Sequence, residues 1–523
     1  MKMNVAIQYV PEAYTTKGQQ LMGRNSAGES FLEGYFRYSK SDTFFAQVEE
    51  TAHAEQFAVA ASKYGRREPV KEIRLETLGA LREPGTLFHP GPGIANLARQ
   101  RSFYGEALWS ICGITHTTSS ARAMDALSDI IAEPVQPWDA LICPSNAVKL
   151  NVETILQARV NELKDRLGIT KVVLPQLPVI PLGIDIQKFK HSDAKKSSAR
   201  RQIGAEENAI VVLYMGRLSF HAKSHPLPMY QALEQATKIT RKKVILVECG
   251  WYANDFIRNA YDEAAKTICP SVKVVCLDGR NVEAREKAWA SADIFCSLVD
   301  NIQETFGIVP LEAMAAGLPL VVSDWDGYKD TVRDQVDGFR IKTLMPSSGL
   351  GDDLALRHAI ELDTYDRYCG HVSQLTAVDV IGATQAFVEL FKSRNLRKKM
   401  GEAGRRRVTS NYDWQQIIPR YEELWKELEL IRLSTLKQKK NSQRVWPARL
   451  DPFYSFAGYP TQSLTSEIIL GLVDDDLEDI MNRVQQLRNL AMVNFAEYVL
   501  PSEKETKSII SMLQSKALPM KHI

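Results

Sequence analysis

Residues 303–324 read QETFGIVPLEAMAAGLPLVVSD, a largely apolar stretch that contains two acids, Glu304 and Glu312. Pro310 suits the first turn of a helix, and Gly317, followed closely by a proline, ends that helix before the apolar run LPLVVSD. The pattern therefore predicts a strand at ADIFCSL, a loop with Glu304, a helix whose first turns carry Glu312, and a second strand.

The loop before this helix has the features of an anion site. Backbone N–H groups of Thr305, Phe306 and Gly307 are expected to lack partners at the helix start, and such a terminus binds phosphate. Glu304 and Glu312 could instead complement the helix dipole, an effect of ~0.3–1 kcal/mol each, and this explanation suffices for Glu312 alone. Carboxylates beside a phosphate would repel it unless they bind hydroxyls on either side. A sugar nucleotide, with hydroxyls on both sides of a diphosphate, meets both requirements.

Apolar runs alternate with helix-length segments along most of the chain. Continuous β-branched runs of this kind indicate parallel sheets covered on both faces. The runs are MNVAIQYV, GTLFHP, ICGITHT, DALICPS and LPVIPLG in the first part, and AIVVLYMGR, KVILVECG, VKVVCLDG, ADIFCSL and LPLVVSD in the second. They predict an α/β fold of two doubly wound, Rossmann-like domains that face a cleft, at residues 1–190 and 205–411. The polar segment 189–208 is expected to be a linker.

The composition is that of an ordinary globular protein. Its 65 basic and 63 acidic residues nearly cancel among 523 residues, so no overall field would recruit nucleic acid. The seven cysteines are scattered without a C-x-x-C pair and are expected to be reduced core residues. No apolar run approaches the ~18 residues of a membrane span, and the N-terminus does not resemble a signal peptide. These features predict a cytoplasmic protein.

Further motifs occur in order around the two acids. Phe-Gly follows Glu304, and Glu312 begins Glu-Ala-Met-Ala followed by Gly-x-Pro, an E-x7-E arrangement. VVLYMGRLSFHAK contains a Gly-Arg pair and a downstream lysine, Arg217 and Lys223. Together with VIPLGIDIQKF, GYKDTVRDQVDGFRI and MGEAGRRRVTSNYDWQQIIPRYEELW, these motifs resemble the GT4 family of retaining glycosyltransferases (glycosyl transferases group 1), which has the GT-B fold. The resemblance covers about residues 1–430.

The resemblance implies a role for each of these residues. Glu304 would bind hydroxyls of the donor sugar and Glu312 the ribose, while Arg217 and Lys223 would hold the diphosphate. Cations placed there stabilise the charge that develops on a departing nucleoside diphosphate. The donor site would also include Thr305, Phe306 and Gly307. The implied reaction moves a sugar, with retention, from a nucleotide-sugar donor to a hydroxyl acceptor, a saccharide or lipid-linked saccharide, in polysaccharide or glycoconjugate biosynthesis.

Four residues of the first domain extend this implied site. His116 ends the strand-like run of ICGITHTTSS, where a lone histidine is more often structural, but the other motifs favour a catalytic role in positioning the sugar. His89 ends LFHP and is assigned to the acceptor side. In KGQQLMGRNSAGESF, a loop with Gly28 and Ser26 is expected to approach the donor phosphates, although it lacks the common double glycine of the family.

No metal or cofactor is predicted beside the donor itself. His221 and His225 are four residues apart but lack a third ligand and the glutamate of H-E-x-x-H, so cationic side chains would replace a divalent ion. Two other functions fit the same fold, a nucleotide-sugar 2-epimerase and a noncatalytic carbohydrate-binding scaffold. The epimerase needs acid and base residues that no motif identifies, and a scaffold would have no use for the phosphate-binding cations.

The end of the chain has its own pattern. Residues 412–430 are expected to form a helix that crosses back to the first domain. Residues 431–450 contain six basic residues and no acid, which suits a solvated linker, a peripheral membrane contact or a polyanionic acceptor: Arg432, Lys437, Lys439, Lys440, Arg444 and Arg449. Helices are predicted farther on by Leu477, Ile480, Met481, Val484 and Leu487 at helical spacing, and by a capping box at Ser502 and Glu505. The 431–523 extension would pack on the catalytic domains or mediate self-association.

Overall fold

The computed structural model describes residues 4–15, 23–435, 446–474 and 476–523. The chain divides into two compact units, residues 1–443 and residues 444–523. The first unit contains two six-stranded sheets, and the second is a small, mainly helical extension with a short two-stranded sheet.

The first sheet lies near the start of the chain. Its strands are β1 (Ala6–Gln8), β2 (Phe44–Gln47), β3 (Val70–Ile73), β4 (Thr86–Phe88), β5 (Ser110–Ile114) and β6 (Ala140–Ile142). They pair in parallel in the order β3-β2-β1-β4-β5-β6. The connecting helices are α1 (Gly23–Tyr38), α2 (Thr51–Ser62), α3 (Ile94–Ser102), α4 (Ala121–Asp129) and α5 (Asn146–Leu167), with 3₁₀ turns at Pro11–Tyr14 and Leu75–Arg82. The strand order reverses beside β1, which opens a crevice at the carboxyl ends of β1 and β4.

The sequence predicted four of these strands and missed β2 and β3. Strand β2 is buried but only four residues long, and β3 lies at the sheet edge with Lys71 and Glu72 exposed, so neither has a long apolar run. The predicted strand LPVIPLG is wrong. Gln176, just before this segment, and Val179 within it form only isolated bridges with Ala140 and Cys143. The prolines of the segment cannot donate to a ladder, so it does not form a strand.

The second sheet has the same topology as the first. Its strands are β7 (Ile210–Met215), β8 (Val244–Gly250), β9 (Lys273–Asp278), β10 (Ile294–Ser297), β11 (Leu320–Ser323) and β12 (Gly338–Ile341). They are parallel, in the order β12-β11-β10-β7-β8-β9. The predicted pair of doubly wound α/β domains is therefore confirmed.

Helices surround this sheet on both faces. They are α6 (Asp193–Gln202), α7 (Leu227–Thr240), α8 (Asp255–Ile268), α9 (Val282–Ser291), α10 (Ile308–Ala315), α11 (Tyr328–Thr331), α12 (Asp352–Ala359), α13 (Tyr365–Gln374), α14 (Val380–Lys392) and α15 (Arg394–Asn411). A two-stranded antiparallel sheet, β13 (Thr343–Leu344) with β14 (Ala377–Val378), and a 3₁₀ turn at Ile186–Phe189 complete the domain. The helix predicted after ADIFCSL is α10, and it begins directly after Gly307.

The segment predicted to be a linker, residues 189–208, contains helix α6. Ser192 caps its start, and Lys196 and Arg200 donate to Asp293 at 2.9 and 2.7 Å. The sequence did not predict this helix because it has no apolar periodicity. Ion pairs attach the helix to the domain, and Ala199 is its one buried residue. Helix α6 is thus part of the second domain.

Helix α16 (Trp414–Thr435) leaves the second domain and packs into the core of the first. The Trp414 indole donates to Ser30 Oγ of α1 at 2.8 Å. Farther along, Tyr421 and Trp425 pack their rings on Phe88 at the end of β4. The predicted return of residues 412–430 to the first domain is confirmed.

Arg432 changes the predicted start of the C-terminal extension. It lies in the last turn of α16, is 6% exposed, and donates to the carbonyl oxygens of Ala107 and Leu108. Arg432 is therefore a buried part of the first unit and does not belong to a solvated basic linker. Arg449 is exposed, whereas Lys437, Lys439, Lys440 and Arg444 lie outside the described residues.

The C-terminal unit is built from short helices. These are α17 (Pro452–Ser455), α18 (Leu477–Asn489), α19 (Ala491–Asn494) and α20 (Glu503–Leu513), with β15 (Ile469–Leu470) paired antiparallel to β16 (Leu518–Pro519) and 3₁₀ turns at Glu497–Val499 and Met520–His522. Both predicted helices are confirmed as α18 and α20, including the capping box of Ser502 and Glu505. Among the described helices, none has the length and apolar character needed to cross a bilayer.

Candidate active site

Loops at the carboxyl ends of β7, β10 and β11 bring the predicted donor residues together. Arg217 follows β7 by two residues, and Glu304 lies in the loop between β10 and α10. Because β7, β10 and β11 are neighbours in the sheet, their loops meet at one edge. Arg217 donates to the carbonyl oxygen of Ala222 at 2.5 Å, which ties the β7 loop to the residue beside Lys223.

Lys223 and Glu304 form an ion pair at this edge. Lys223 Nζ lies 2.6 Å from Glu304 Oε2, and the two side chains are only 20% and 10% exposed. Burial raises the pKa of Glu304, but Lys223 and the backbone N–H groups of Thr305 and Phe306 more than offset it, so the pKa lies below its usual range. Glu304 is therefore an ionised carboxylate at neutral pH.

The three residues after Glu304 are placed as predicted, but their backbone N–H groups are not all free. The N–H of Thr305 donates to Glu304 Oε1 at 3.3 Å, which corrects the expectation that it is unpaired. Phe306 is 1% exposed and forms part of the core. Gly307 has φ +82°, and a side chain there would collide with the Tyr328 ring, so this position requires glycine.

Glu312 differs from Glu304 in its electrostatic environment. Burial raises the pKa of Glu312 to about 7, and the charges of Arg285 and Lys188 only partly oppose the shift. Glu312 is the fifth residue of α10 and lies beyond its first turn, so complementing the helix dipole does not account for this residue. The cations that act on Glu312 are therefore Arg285 and Lys188, whereas Lys223 pairs with Glu304.

The first domain contributes His116 and His89. Thr305 Oγ1 donates to the backbone carbonyl oxygen of His116 at 3.1 Å, which places His116 beside the Glu304 loop. His89 Nδ1 pairs with the side-chain oxygen of Gln8. Burial and the nearby His116 lower the pKa of His89 to about 4, so His89 is neutral at physiological pH. The two histidines are thus close together, after the ends of β4 and β5.

Gly28 and Ser26 are not in the predicted loop. Both lie within helix α1, and a side chain at Gly28 would come within 2.1 Å of the Ala13 carbonyl oxygen in the 3₁₀ turn before it. Close packing of this turn on the helix explains the glycine without a phosphate. The loop placement is therefore wrong, and donor binding by Gly28 and Ser26 stays a prediction without support from their position.

Two residues that join the domains were missed at the sequence level. The hydroxyl of Ser145, at the start of α5, lies 3.0 Å from the Thr305 carbonyl oxygen and 3.1 Å from Asp326 Oδ1. Nearby, Asn146 donates to both oxygens of Asp330, at 2.7 and 3.2 Å. The local signals were a helix cap in CPSNAV and three acids in DWDGYKD. Neither signal indicates an interdomain contact.

Within the described parts of the chain, no cluster of three or more His, Cys, Asp and Glu side chains is arranged to hold a metal ion. His221 Nε2 lies 3.9 Å from Asp366 Oδ2. Burial lowers the pKa of His225.

Comparison with known families is consistent with this geometry. Residues 195–347, most of the second domain, match the family described as Glycosyl transferases group 1. An uncharacterized glycosyltransferase of Methanocaldococcus jannaschii is 29% identical over 33% of this chain and 43% of its own length. A D-inositol 3-phosphate glycosyltransferase of Geodermatophilus obscurus is 27% identical over 32% of this chain and 37% of its own length. The chain thus spans about two fifths of these curated relatives.

Solved structures share the fold across both domains. A glycosyltransferase from Rickettsia africae superposes with a TM-score of 0.52 at 12% identity, covering 82% of this chain and 99% of that one. Anabaena HepE, solved in complex with UDP and glucose, gives 0.50 at 14% identity, covering 81% of this chain and 100% of HepE. At these identities the likeness establishes the GT-B fold of the first unit.

Proposed function

Residues 195–347 match the group 1 glycosyl transferases, and we propose on this premise that the protein transfers a sugar from a nucleotide-sugar donor to a hydroxyl acceptor. The observation that carries the proposal is the pairing of Lys223 with Glu304 at the start of α10, beside Arg217. An acid that binds hydroxyls and a cation that binds phosphate are then in direct contact. This arrangement matches a sugar diphosphate, in which the sugar is bonded directly to a phosphate.

The Lys223–Glu304 ion pair suits a donor whose diphosphate carries two negative charges. Lys223 and Arg217 would turn toward the diphosphate, and Glu304, already ionised, would accept hydrogen bonds from sugar hydroxyls. The same cations would bind the leaving nucleoside diphosphate more strongly as its charge grows, which lowers the barrier. In this scheme side chains do the work of a divalent ion, so the proposed reaction is independent of metal.

The remaining residues fit the other parts of the donor and the acceptor. Glu312 would bind the ribose, and its raised pKa lets the carboxyl accept or donate a hydrogen bond near neutral pH. His116 would position the sugar. Neutral His89 would lie on the acceptor side, where it can form a hydrogen bond.

We propose retention at the anomeric carbon. Glycosidases that retain configuration use a carboxylate nucleophile about 5 Å from a second acid. Glu304 is assigned to the sugar hydroxyls and no other carboxylate is assigned as a nucleophile, so attack on the face from which the diphosphate leaves, with a phosphate oxygen taking the acceptor proton, is the scheme that fits. The contacts of Ser145 and Thr305 across the domains support a closed state that keeps water from the donor.

The proposal extends to the setting of the reaction. A saccharide or lipid-linked saccharide acceptor, in polysaccharide or glycoconjugate biosynthesis, fits a cytoplasmic enzyme that uses nucleotide sugars. Contact with the inner face of a membrane through the basic segment 431–450, and self-association through the C-terminal helices, belong to the same proposal.

The test is donor turnover. Purified protein is incubated without added metal with UDP-, GDP-, ADP- and TDP-sugars, and release of the nucleoside diphosphate is measured with and without candidate acceptors. One donor is expected to release its nucleotide, and the Glu304→Ala variant should lose this activity. Glu283→Ala, which removes an exposed acid at the start of α9, serves as the matched control. Recovery of an epimerised donor, or no turnover of any donor, would refute the proposal.

A further inference from the structure

Asp326 occupies an unusual position at the cleft. It lies three residues after β11, on the loop that leads into α11, and its φ of +41° is a left-handed conformation that only a few non-glycine residues adopt. Its Oδ1 is 3.1 Å from the Ser145 hydroxyl of the first domain. A strained backbone conformation held by an interdomain contact is typical of functional sites.

Two contacts hold the Asp326 loop against the Glu304 loop. The Trp325 indole donates to the Asn301 carbonyl oxygen at 3.1 Å, and the Tyr328 ring fills the space beside Gly307. Burial and the charge of Glu304 then raise the pKa of Asp326 to about 8. Asp326 is therefore a buried carboxyl group next to the acid assigned to the donor sugar.

One oxygen of Asp326 has no partner. Oδ2 is buried and makes no hydrogen bond within the described residues, and the side-chain oxygen of Gln303, directly before Glu304, is in the same condition. Most buried polar atoms in native proteins are hydrogen-bonded, and an unpaired one destabilises the fold unless a ligand or water binds it. Two such oxygens on adjacent loops of one cleft indicate a ligand that supplies the missing donors.

The hydrogen bonds of Ser145 determine what Oδ2 can bind. The Ser145 oxygen already accepts from the Val148 N–H at 3.1 Å, and the Thr305 carbonyl 3.0 Å away can only accept the serine proton. The same hydroxyl also lies within donating distance of Asp326 Oδ1, at 3.1 Å, so Oδ1 already has a donor. Oδ2 is left as a hydrogen-bond acceptor, so its ligand must be a donor such as a hydroxyl.

We propose that Asp326 is a sugar-binding residue that accepts a hydrogen bond from one hydroxyl of the transferred sugar, and that it determines which donor sugar is used. The inference rests on the proposed function. Phosphate is unsuited to this position because two acids, Asp326 and Glu304, face it. The first domain completes the subsite, since the Ser145 contact orients the carboxyl group.

The experiment uses donors that each lack one hydroxyl. For whichever nucleotide sugar the protein consumes, kcat/KM is measured for the parent and for its 2-, 3-, 4- and 6-deoxy analogues. Asp326→Gly removes the side chain and accommodates the positive φ, and Asp326→Asn keeps its shape. Asp330→Asn is the matched control, because Asp330 also meets the first domain but both of its oxygens are already bonded.

For the native chain, one deoxy donor is expected to be about 10- to 100-fold poorer than the parent. In Asp326→Gly this particular ratio should fall toward one while the ratios for the other deoxy donors stay unchanged, and Asp330→Asn should keep all native ratios. If Asp326→Gly lowers kcat/KM equally for every donor, the residue only supports closure and the proposal is overturned. If the native chain consumes no donor, the proposed function fails first, and this inference with it.

Discussion

Lys223 Nζ and Glu304 Oε2 are 2.6 Å apart in a nearly buried ion pair, although 81 residues separate them in the chain. Burial alone would drive Glu304 toward its neutral form, and the pair keeps it ionised. One interaction thus determines both the charge of the predicted sugar-binding acid and the position of the predicted phosphate-binding cation.

Removal of Lys223 should affect both roles. In Lys223→Ala, Glu304 loses its main counter-charge, so its pKa should rise, and kcat/KM for donor turnover should fall about 100-fold or more. Lys223→Arg should recover part of the activity. Lys195→Ala, which breaks the exposed pair with Glu286, is the control and should leave turnover unchanged. Turnover by Lys223→Ala within a factor of two of the native rate would contradict the assignment.

Glu312→Gln should weaken binding of the nucleotide and leave the fold intact. Loss of a ribose contact is expected to raise the Kd for the nucleoside diphosphate about tenfold, measured by calorimetry. A 2′,3′-dideoxynucleoside diphosphate should bind the native chain and the variant equally well. Because burial raises the pKa of Glu312 to about 7, the neutral glutamine should not lower the Tm at pH 8. Equal nucleotide affinity of the two proteins would disprove the ribose role.

The hydrogen bonds between the two domains should favour the closed state. Thr305→Val removes the donor to the His116 carbonyl oxygen while keeping the side-chain shape, and Ser145→Ala removes the second contact. The double variant should show a larger radius of gyration in X-ray scattering and a kcat about tenfold lower, with nucleotide affinity little changed. Thr409→Val, which loses a bond only within α15, should match the native protein. An unchanged radius and kcat would argue against closure through these contacts.

The buried acid Glu248 should make stability depend on pH. Burial raises its pKa to about 7, and Tyr230 donates to it at 2.6 Å. In the unfolded chain the Glu248 carboxyl loses its proton near pH 4.3, whereas in the folded chain it keeps this proton to a higher pH. Its stabilisation is therefore full below about pH 4 and lost as the pH rises through 7, at most about 4 kcal/mol. Glu248→Gln should reduce the fall in Tm between pH 5.5 and 8.5, and an identical fall would rule out this origin.

Much of the fold follows from local patterns. Continuous apolar runs identified most of the strands, including β7, β8 and β10, because strands covered on both faces consist mainly of apolar residues. Strand β2 (FFAQ) was missed because it has no β-branched residue and its apolar run is brief, and β3 was missed because it lies at an exposed edge. Helix α6 was missed since ion pairs to Asp293, which no local pattern reveals, attach it to the sheet.

The sequence by itself determined the two parallel sheets and the start of α10, because each depends on residues close together in the chain, and it proposed the acids and cations of the site through the resemblance of their motifs. Only the tertiary structure decided the charge states and the contacts of the cleft. Ser145 meets Thr305 and Asp326 from 160 and 181 residues away. Burial, which changes the pKa of Glu312 and Asp326, arises from the packing of whole domains. Spacing along the chain carries no information about either effect.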